Sequence, residues 1–420
     1  MRTGAEVDGG ITCTACHRGA DANSDTRGRL TILTREYKPG VRQMIRVMLE
    51  HPEAVRWGFQ LTARLASNPA RAAGTLRQTD LIRVRCGEGG PDGNCRGQTE
   101  FASHIQASTF VGTRNGVMWE IEWTPPAAGA GEVVFYAAGN AANNSGNTQG
   151  DNIYTTSARA AEESCNVTGT PRITSIRNGA SFDDRVSVNS IITIGGSGFQ
   201  AAGVNRTAGL QDIENNRFPS EMGCVAVDIG GSRAPLLFGN PTQINAQVPS
   251  ISPGSVPVRV ILNPGTPREI RSDAVNVTLG EYAPGFFRFL PTPCIAAVNA
   301  DGTLSGDPSL LPFVRGSRIG EIVSLYATGL GALEPFYQSG EIVGQAVRVR
   351  DRVTIEWNGT PLAATDVLYV GSAGGAISGL YQINVRIPAG SRTGANHNQV
   401  RIIGADGSRS ADNTTIYVQP

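Results

Sequence analysis

The sequence predicts an all-β protein built from three β-sandwich domains. Three observations carry that prediction. Glycine and proline are frequent, 52 and 24 of 420 residues, as a chain of short strands joined by turns requires. Between those turns apolar residues alternate at period two, the spacing of a strand with one buried face. The C-terminal half then repeats its own pattern, so that any sandwich formed there is formed twice.

Composition limits the function classes. Apolar residues make up 40% and charged residues 17%, which describes an ordered chain with a weakly charged surface. The 36 basic and 36 acidic residues cancel, so no net charge draws the protein to nucleic acid or an anionic membrane. No apolar run approaches the ~18 residues of a membrane helix. The first ten residues, MRTGAEVDGG, lack a signal-peptide core, so a secreted protein would stand here in mature or mis-started form.

Taken in order, the chain begins with Cys13-Thr14-Ala15-Cys16-His17. Two thiols at this spacing can each form a thioether to a haem vinyl group, and the adjacent histidine is placed to ligate iron, which is the c-type attachment pattern. The same residue types also serve zinc and thiol chemistry. Residues 20–160 follow as short strands. Leu30–Thr34, Trp57–Ala63, Leu81–Arg85 and Phe101–Ile105 alternate, while Met44–Leu49 reads as a buried strand or a short helix. Met118–Thr124 sets Trp119, Ile121 and Trp123 on one face against Glu120 and Glu122 on the other, and Pro125-Pro126 stops it. Gly131–Ala137 is the next strand, followed by a Gly/Asn-rich loop up to Tyr154.

Within this part C-T-A-C-H, Tyr37-x-Pro-Gly40, Trp57-Gly-Phe-Gln60, Trp123-Thr-Pro-Pro and the 137–157 segment occur in order. Together they resemble the Reeler-like, or "choice-of-anchor", β-sandwich of bacterial secreted proteins. The resemblance implies an extracytoplasmic domain over 1–160, with C-x-x-C-H near its start and a histidine, here His104, ahead of the tryptophan strand. It implies no defined activity.

Residues 161–177, rich in Ser, Thr, Asn and Pro, read as a linker. Beyond them Ile192–Phe199 matches Val323–Leu330, Val225–Pro235 matches Val353–Pro361, and Gln243–Pro249 matches Gln382–Pro388. Two tandem Ig-like sandwiches are therefore expected, over 178–282 and 319–420. The stretch 283–318 is expected as a connecting hairpin and linker, with an Asp301-Gly302 turn. Gly320–Gly331 and Gly379–Pro388 resemble the IPT/TIG-type repeats at the C-termini of secreted bacterial proteins, a class for which the resemblance implies no catalysis.

The chain has four histidines and seven cysteines. With Cys13 and Cys16 as haem thioethers and His17 as proximal ligand, one further axial donor is needed. His104 is the candidate distal ligand, His51 the alternative, and Met44, Met48 and Met118 stand behind them; His397 is expected in a solvated loop. The competing readings are a zinc knot of Cys13, Cys16, His17 and His104, and a disulfide or free thiols. Trp57, Phe59, Trp119 and Trp123 are either a haem wall or core. Cys86 and Cys95 bracket a Gly-rich loop and are expected to form a disulfide. At most one more pair forms among Cys165, Cys224 and Cys294. Disulfides and covalent haem both fit an oxidising compartment.

No nucleophile elbow, H-E-x-x-H, P-loop or dinucleotide fingerprint is present. The oxygens of Asn140–Asp151 lack calcium-loop spacing. The expectation is a monohaem c-type electron carrier, not an enzyme, secreted or at the cell surface, with a redox protein or neighbouring subunits as partners and a filament as one form of assembly. The alternative is a haem-free adhesin or fibre protein.

Overall fold

The computed structural model describes residues 1–17, 20–87, 92–93, 95–394 and 397–420, and its regular segments are strands apart from four 3₁₀ turns. The chain divides into two compact units. One is Met1–Ser164 joined by Gly209–Glu214; the other is Cys165–Ala208 with Asn215–Pro420.

The N-terminal unit is a two-sheet sandwich. Its strands are β1 (Arg29–Leu33), β2 (Gln43–His51), β3 (Arg56–Leu65), β4 (Asn68–Ala72), β5 (Thr75–Leu76), β6 (Ile82–Cys86), β7 (Glu100–His104), β8 (Asn115–Thr124), β9 (Val133–Ala142) and β10 (Asn152–Ala160). One sheet runs β1-β2-β8-β5 and the other β10-β9-β3-β7-β6, with β4 paired to β3. Met44–Leu49, ambiguous in the sequence, is strand: it lies in β2, in register with β8 from Ile45↔Ile121 to Val47↔Trp119. The β-branched residues of β2 favour that outcome. The inner faces supply Ile45, Val47, Leu49, Trp57, Phe59, Leu61, Trp119, Ile121, Trp123 and Phe135 to one core.

Two details depart from the expected strand pattern. β9 does not end at Ala137 but continues to Ala142, and β10 starts at Asn152. Glycine and asparagine are poor strand formers in isolation. Here Gly139 and Asn140 are held between β3 and β10, where Gly58↔Asn140 and Ile153↔Asn140 pair. β3 is also buried on both faces. Its outward residues Gly58, Thr62 and Arg64 are covered as fully as its core residues. The N-terminal segment covers part of this face, where Asp8 takes Arg64 at 2.6 Å and Gln60 accepts from the Arg2 backbone N–H, and the His104 ring covers Gly58.

The second unit holds the two Ig-like repeats, and both use one register. Ile192 faces Ala246 and Ile194 faces Ile244 in the first; Val323 faces Val385 and Leu325 faces Ile383 in the second. The matched sequence segments are thus the paired central strands of each sandwich. The segment 161–177 is not a free linker. Arg172–Asn178 is an edge strand of the first repeat, Ile173 and Ile176 enter its core, and Cys165 is disulfide-bonded to Cys224. Its polar composition hid the two buried isoleucines. Nor is 283–318 a mere connection. Gly285–Phe286 and Ala297–Val298 both pair with Ile322–Thr328, and Phe286 is fully buried in the second core. The hairpin turning at Asp301-Gly302 does form, joining Ala297–Val298 to Leu304–Ser305.

Candidate functional site

Residues Cys13–Ala15 form a single 3₁₀ turn. Thr12 caps it, its hydroxyl accepting from the Thr14 N–H at 3.2 Å, and the Cys16 and His17 N–H groups both return to the Cys13 carbonyl at 3.1 and 2.9 Å. A capped turn is what a Thr-Cys-Thr-Ala sequence favours locally. It gathers Cys13, Cys16 and His17 on one side, against β9.

These three residues line a cavity of about 820 Å³ on the N-terminal unit, together with Trp57, Gly58, Phe59, Gln60, His104, Asn140 and Asp151. That volume falls within the ~300–1,000 Å³ of typical ligand and cofactor sites. Cys13 and Cys16 are both free thiols in this structure, and burial pushes the Cys13 thiol up to about 11, so it is protonated at neutral pH.

His17 is held by a carboxylate. Its Nδ1 lies 2.6 Å from Asp151 Oδ2, and that side chain is buried, with its other oxygen accepting from the Asn143 N–H at 3.1 Å. Such a pairing directs Nε2 outward as a ligand and fixes the ring. Asn140, one residue pair from Gly58 on β3, adds its amide nitrogen at 3.0 Å from Nδ1 and 3.3 Å from Nε2.

His104 arrives from the other edge. The β3–β7 ladder pairs Gln60 with Ser103 and goes no further. At the next position the imidazole replaces the backbone: His104 Nδ1 lies 2.9 Å from the Phe59 N–H and 3.1 Å from the Phe59 carbonyl. The two contacts share one nitrogen and belong to different tautomers: with its proton on Nδ1 the ring donates to that carbonyl and leaves Nε2 as a ligand, and with its proton on Nε2 it accepts from the Phe59 N–H. The ring fits there only because residue 58 is glycine. A Cβ at Gly58 would lie 2.7 Å from His104 Cε1. Burial lowers the pKa of His104, and the nearby charges of Arg56, His17 and Arg85 lower it further against the opposing Phe59 bond.

The remaining sequence candidates lie elsewhere. His51 is not on the cavity wall. It is buried at the end of β2, with Nε2 3.1 Å from Asp25 and Nδ1 accepting from the Glu53 N–H at 3.2 Å, so neither nitrogen is left for a metal. Met44, Met48 and Met118 do not line the cavity either. His397 is not simply solvated: Nε2 meets Asp307 at 2.9 Å in the second unit. Trp57 and Phe59 reach the wall, whereas Trp119 and Trp123 are core, their indole N–H groups bonded to the Ser108 and Ala73 carbonyls at 2.8 Å. In the Asn140–Asp151 loop, Asn143 and Asn147 direct their oxygens at Ser145 and Gln149 N–H groups, which leaves no calcium cage.

Metal chemistry can be tested on the same residues. Among the described residues, Cys13, Cys16, His17 and His104 do not bring their ligand atoms within 4.8 Å of one another, as one zinc ion would require. A covalently held haem places its thioether sulfurs at the porphyrin edge and not on the metal, so it does not require all four donors to converge on one ion. Unpartnered polar atoms also point to a ligand: Asn140 Oδ1 and Arg2 Nη1 are buried on this wall with no hydrogen-bond partner.

The sequence offered Asn140 and Asp151 only as loop oxygens for calcium, and connected neither them nor Gly58 with the histidines. One signal was available, since Asp151 is the single charged residue in 133–158. The cysteines outside the site form Cys86–Cys95 and Cys165–Cys224 disulfides, and Cys294 is a buried thiol.

Residues 171–279 match the family model of the IPT/TIG domain. No curated protein sequence matches the chain. Among solved structures, the human F-spondin reeler domain is similar at 20% identity and a TM-score of 0.23, covering 36% of this chain and 99% of that one. The seventh ScaB type I cohesin from Pseudobacteroides cellulosolvens is similar at 11% identity and a TM-score of 0.19, covering 30% and 90%. The protein is all-β, and its first Ig-like repeat matches the IPT/TIG domain.

Proposed function

We propose that the N-terminal unit carries one covalently attached haem c and that the protein passes electrons outside the cytoplasm. The observation that carries this reading is the meeting of two free thiols, a carboxylate-held histidine and a second, half-buried histidine on one cavity wall. Cys13 and Cys16 are the thioether residues, His17 the proximal ligand through Nε2, and His104 the distal one. Asp151 orients His17; the Phe59 carbonyl and the space over Gly58 orient His104. Trp57 and Phe59 exclude water from one side. When bound, haem supplies a one-electron iron couple whose potential the ligands and surrounding charge set. Two protein ligands on the iron leave no position for a substrate, so no catalytic role is assigned. The Ig-like repeats present the haem unit to a redox partner or to neighbouring subunits, and assembly into a filament would bring successive haems close.

The test is spectroscopic. Protein matured in an oxidising compartment with haem-attachment machinery should show a Soret band, and its intact mass should exceed the polypeptide by one haem. A colourless protein of unmodified mass overturns the reading and favours a haem-free adhesin or fibre protein, for which the IPT/TIG-type repeat is the supporting observation. His104→Ala should convert a low-spin ferric spectrum to high-spin; an unchanged spectrum removes His104 as ligand.

A further inference from the structure

The cavity wall is unbalanced in charge. Arg2, Arg56, Arg83 and Arg85 all line it, while the single carboxylate among its described lining residues, Asp151, is engaged by His17. Arg83 has a partner in Asp92 at 3.3 Å. Among the described residues Arg56 does not meet a carboxylate; its nitrogens reach the neutral amides of Asn144 and Gln106, at 3.3 and 3.2 Å. Arg56 stands two residues before Gly58 on β3, and Arg83 and Arg85 lie on β6, the strand paired with the one that ends at His104. Arg2 Nη1 is buried without an acceptor. An exposed arginine on a strand needs no explanation, but a buried guanidinium N–H without a partner is costly and calls for an acceptor. Three cations that meet no carboxylate among the described residues, around one cavity, are complementary to an anionic ligand.

We infer that the cavity recognises its ligand as a dicarboxylate, with Arg56 and Arg85 holding the carboxylates and Arg2 completing the set. This rests on the haem reading above: a porphyrin carries two propionate side chains, and Arg offers each a planar fork of donors. Asn140 Oδ1 stays outside this clamp, since it is an acceptor. The arginines act in a second way. Positive charge near the iron disfavours the ferric form, so the clamp raises the potential to the extent that the propionates do not cancel it.

The experiment uses the full chain with Cys13→Ala and Cys16→Ala, which makes porphyrin binding reversible. Iron protoporphyrin IX and its dimethyl ester are titrated against it. The free dicarboxylate should bind about tenfold or more tightly than the ester, the gain of a charge-assisted pair. That preference should collapse in the added Arg56→Gln, Arg85→Gln variant, with ester binding unchanged. In covalently loaded protein the same two substitutions should shift the midpoint potential downward. Equal affinity for the two porphyrins, or a preference that survives loss of both arginines, overturns the clamp and leaves the haem reading intact. Wild-type protein without a Soret band, with neither porphyrin bound, removes the haem reading and the clamp together.

Discussion

Buried polar side chains occur in both units, and they are used differently. Between the two Ig-like repeats Gln247 is fully buried with all its polar atoms engaged. Its amide nitrogen donates to the Asn189 carbonyl at 2.9 Å and Ser378 Oγ at 3.2 Å, and its oxygen accepts from the Gly340 N–H at 2.6 Å. Thr328 repeats the device, accepting from the Ile191 N–H and donating to the Gly379 carbonyl, each at 2.8 Å. On the cavity wall of the N-terminal unit the polar set is incomplete, with Asn140 Oδ1 and Arg2 Nη1 unpartnered and His17 Nε2 meeting only a long contact from Asn140. A closed network makes two sandwiches rigid against each other, whereas an open one retains binding capacity. Satisfaction of the polar atoms distinguishes a structural junction from a site.

The largest effect should come from opening the closed network. Gln247→Ala leaves the Gly340 N–H and the Asn189 carbonyl without these partners, and the loss should be about 2–4 kcal/mol. Native-state hydrogen exchange should show protection falling in both repeats. A loss confined to one repeat would mean that the junction does not couple them.

A smaller effect is expected where the open network is crowded. Gly58→Ala brings a Cβ to 2.7 Å from His104 Cε1, so the imidazole must leave the Phe59 N–H. The expected cost is about 1–3 kcal/mol, read by urea unfolding of the apoprotein. In loaded protein the same change should weaken the His104 contribution to a low-spin spectrum. An unperturbed stability and spectrum would show that His104 is not seated over residue 58.

The smallest effect is a pH dependence. His104 has a lowered pKa in the folded apoprotein, chiefly from burial. The unfolded chain therefore binds the proton first as pH falls below the ordinary histidine value of ~6.5. Stability contributed at this position is complete above that value and declines as pH drops toward the folded pKa. The urea midpoint should fall between pH 7 and pH 5, and His104→Gln should flatten part of that decline. Identical profiles for the two proteins would contradict the burial of a neutral ring.

Much of this was legible in the chain itself. The alternation of Trp119, Ile121 and Trp123 against Glu120 and Glu122 reads directly as a strand with one buried face, and the three residues enter the core as that pattern requires. Repeat matching identified Ile192–Phe199 with Val323–Leu330, and the two share a register. Composition misled in two places. The polar surroundings of Ile173 and Ile176 disguised an edge strand as a linker, and the short pairings of Gly285–Phe286 concealed a sheet that continues beyond the repeat boundary. Short strands depend on their neighbours for most of their stability, so local pattern identifies them poorly.

The candidate site divides along the same line. Cys13, Cys16 and His17 are a local motif, and the turn that gathers them follows from Thr12 and three successive residues. Sequence alone thus determined the all-β class, the duplicated repeats and the chemical identity of the thiol–histidine motif, because each is written in spacings of a few residues. Only the tertiary structure decided which residues meet that motif. Asp151 reaches His17 from 134 positions away, and His104 reaches Phe59 from 45. No local spacing encodes such encounters, because sheet register and the overlying N-terminal segment bring them about. The same geometry engages both nitrogens of His51, and places His17 and His104 on a cavity wall with Nδ1 of each tied to the protein.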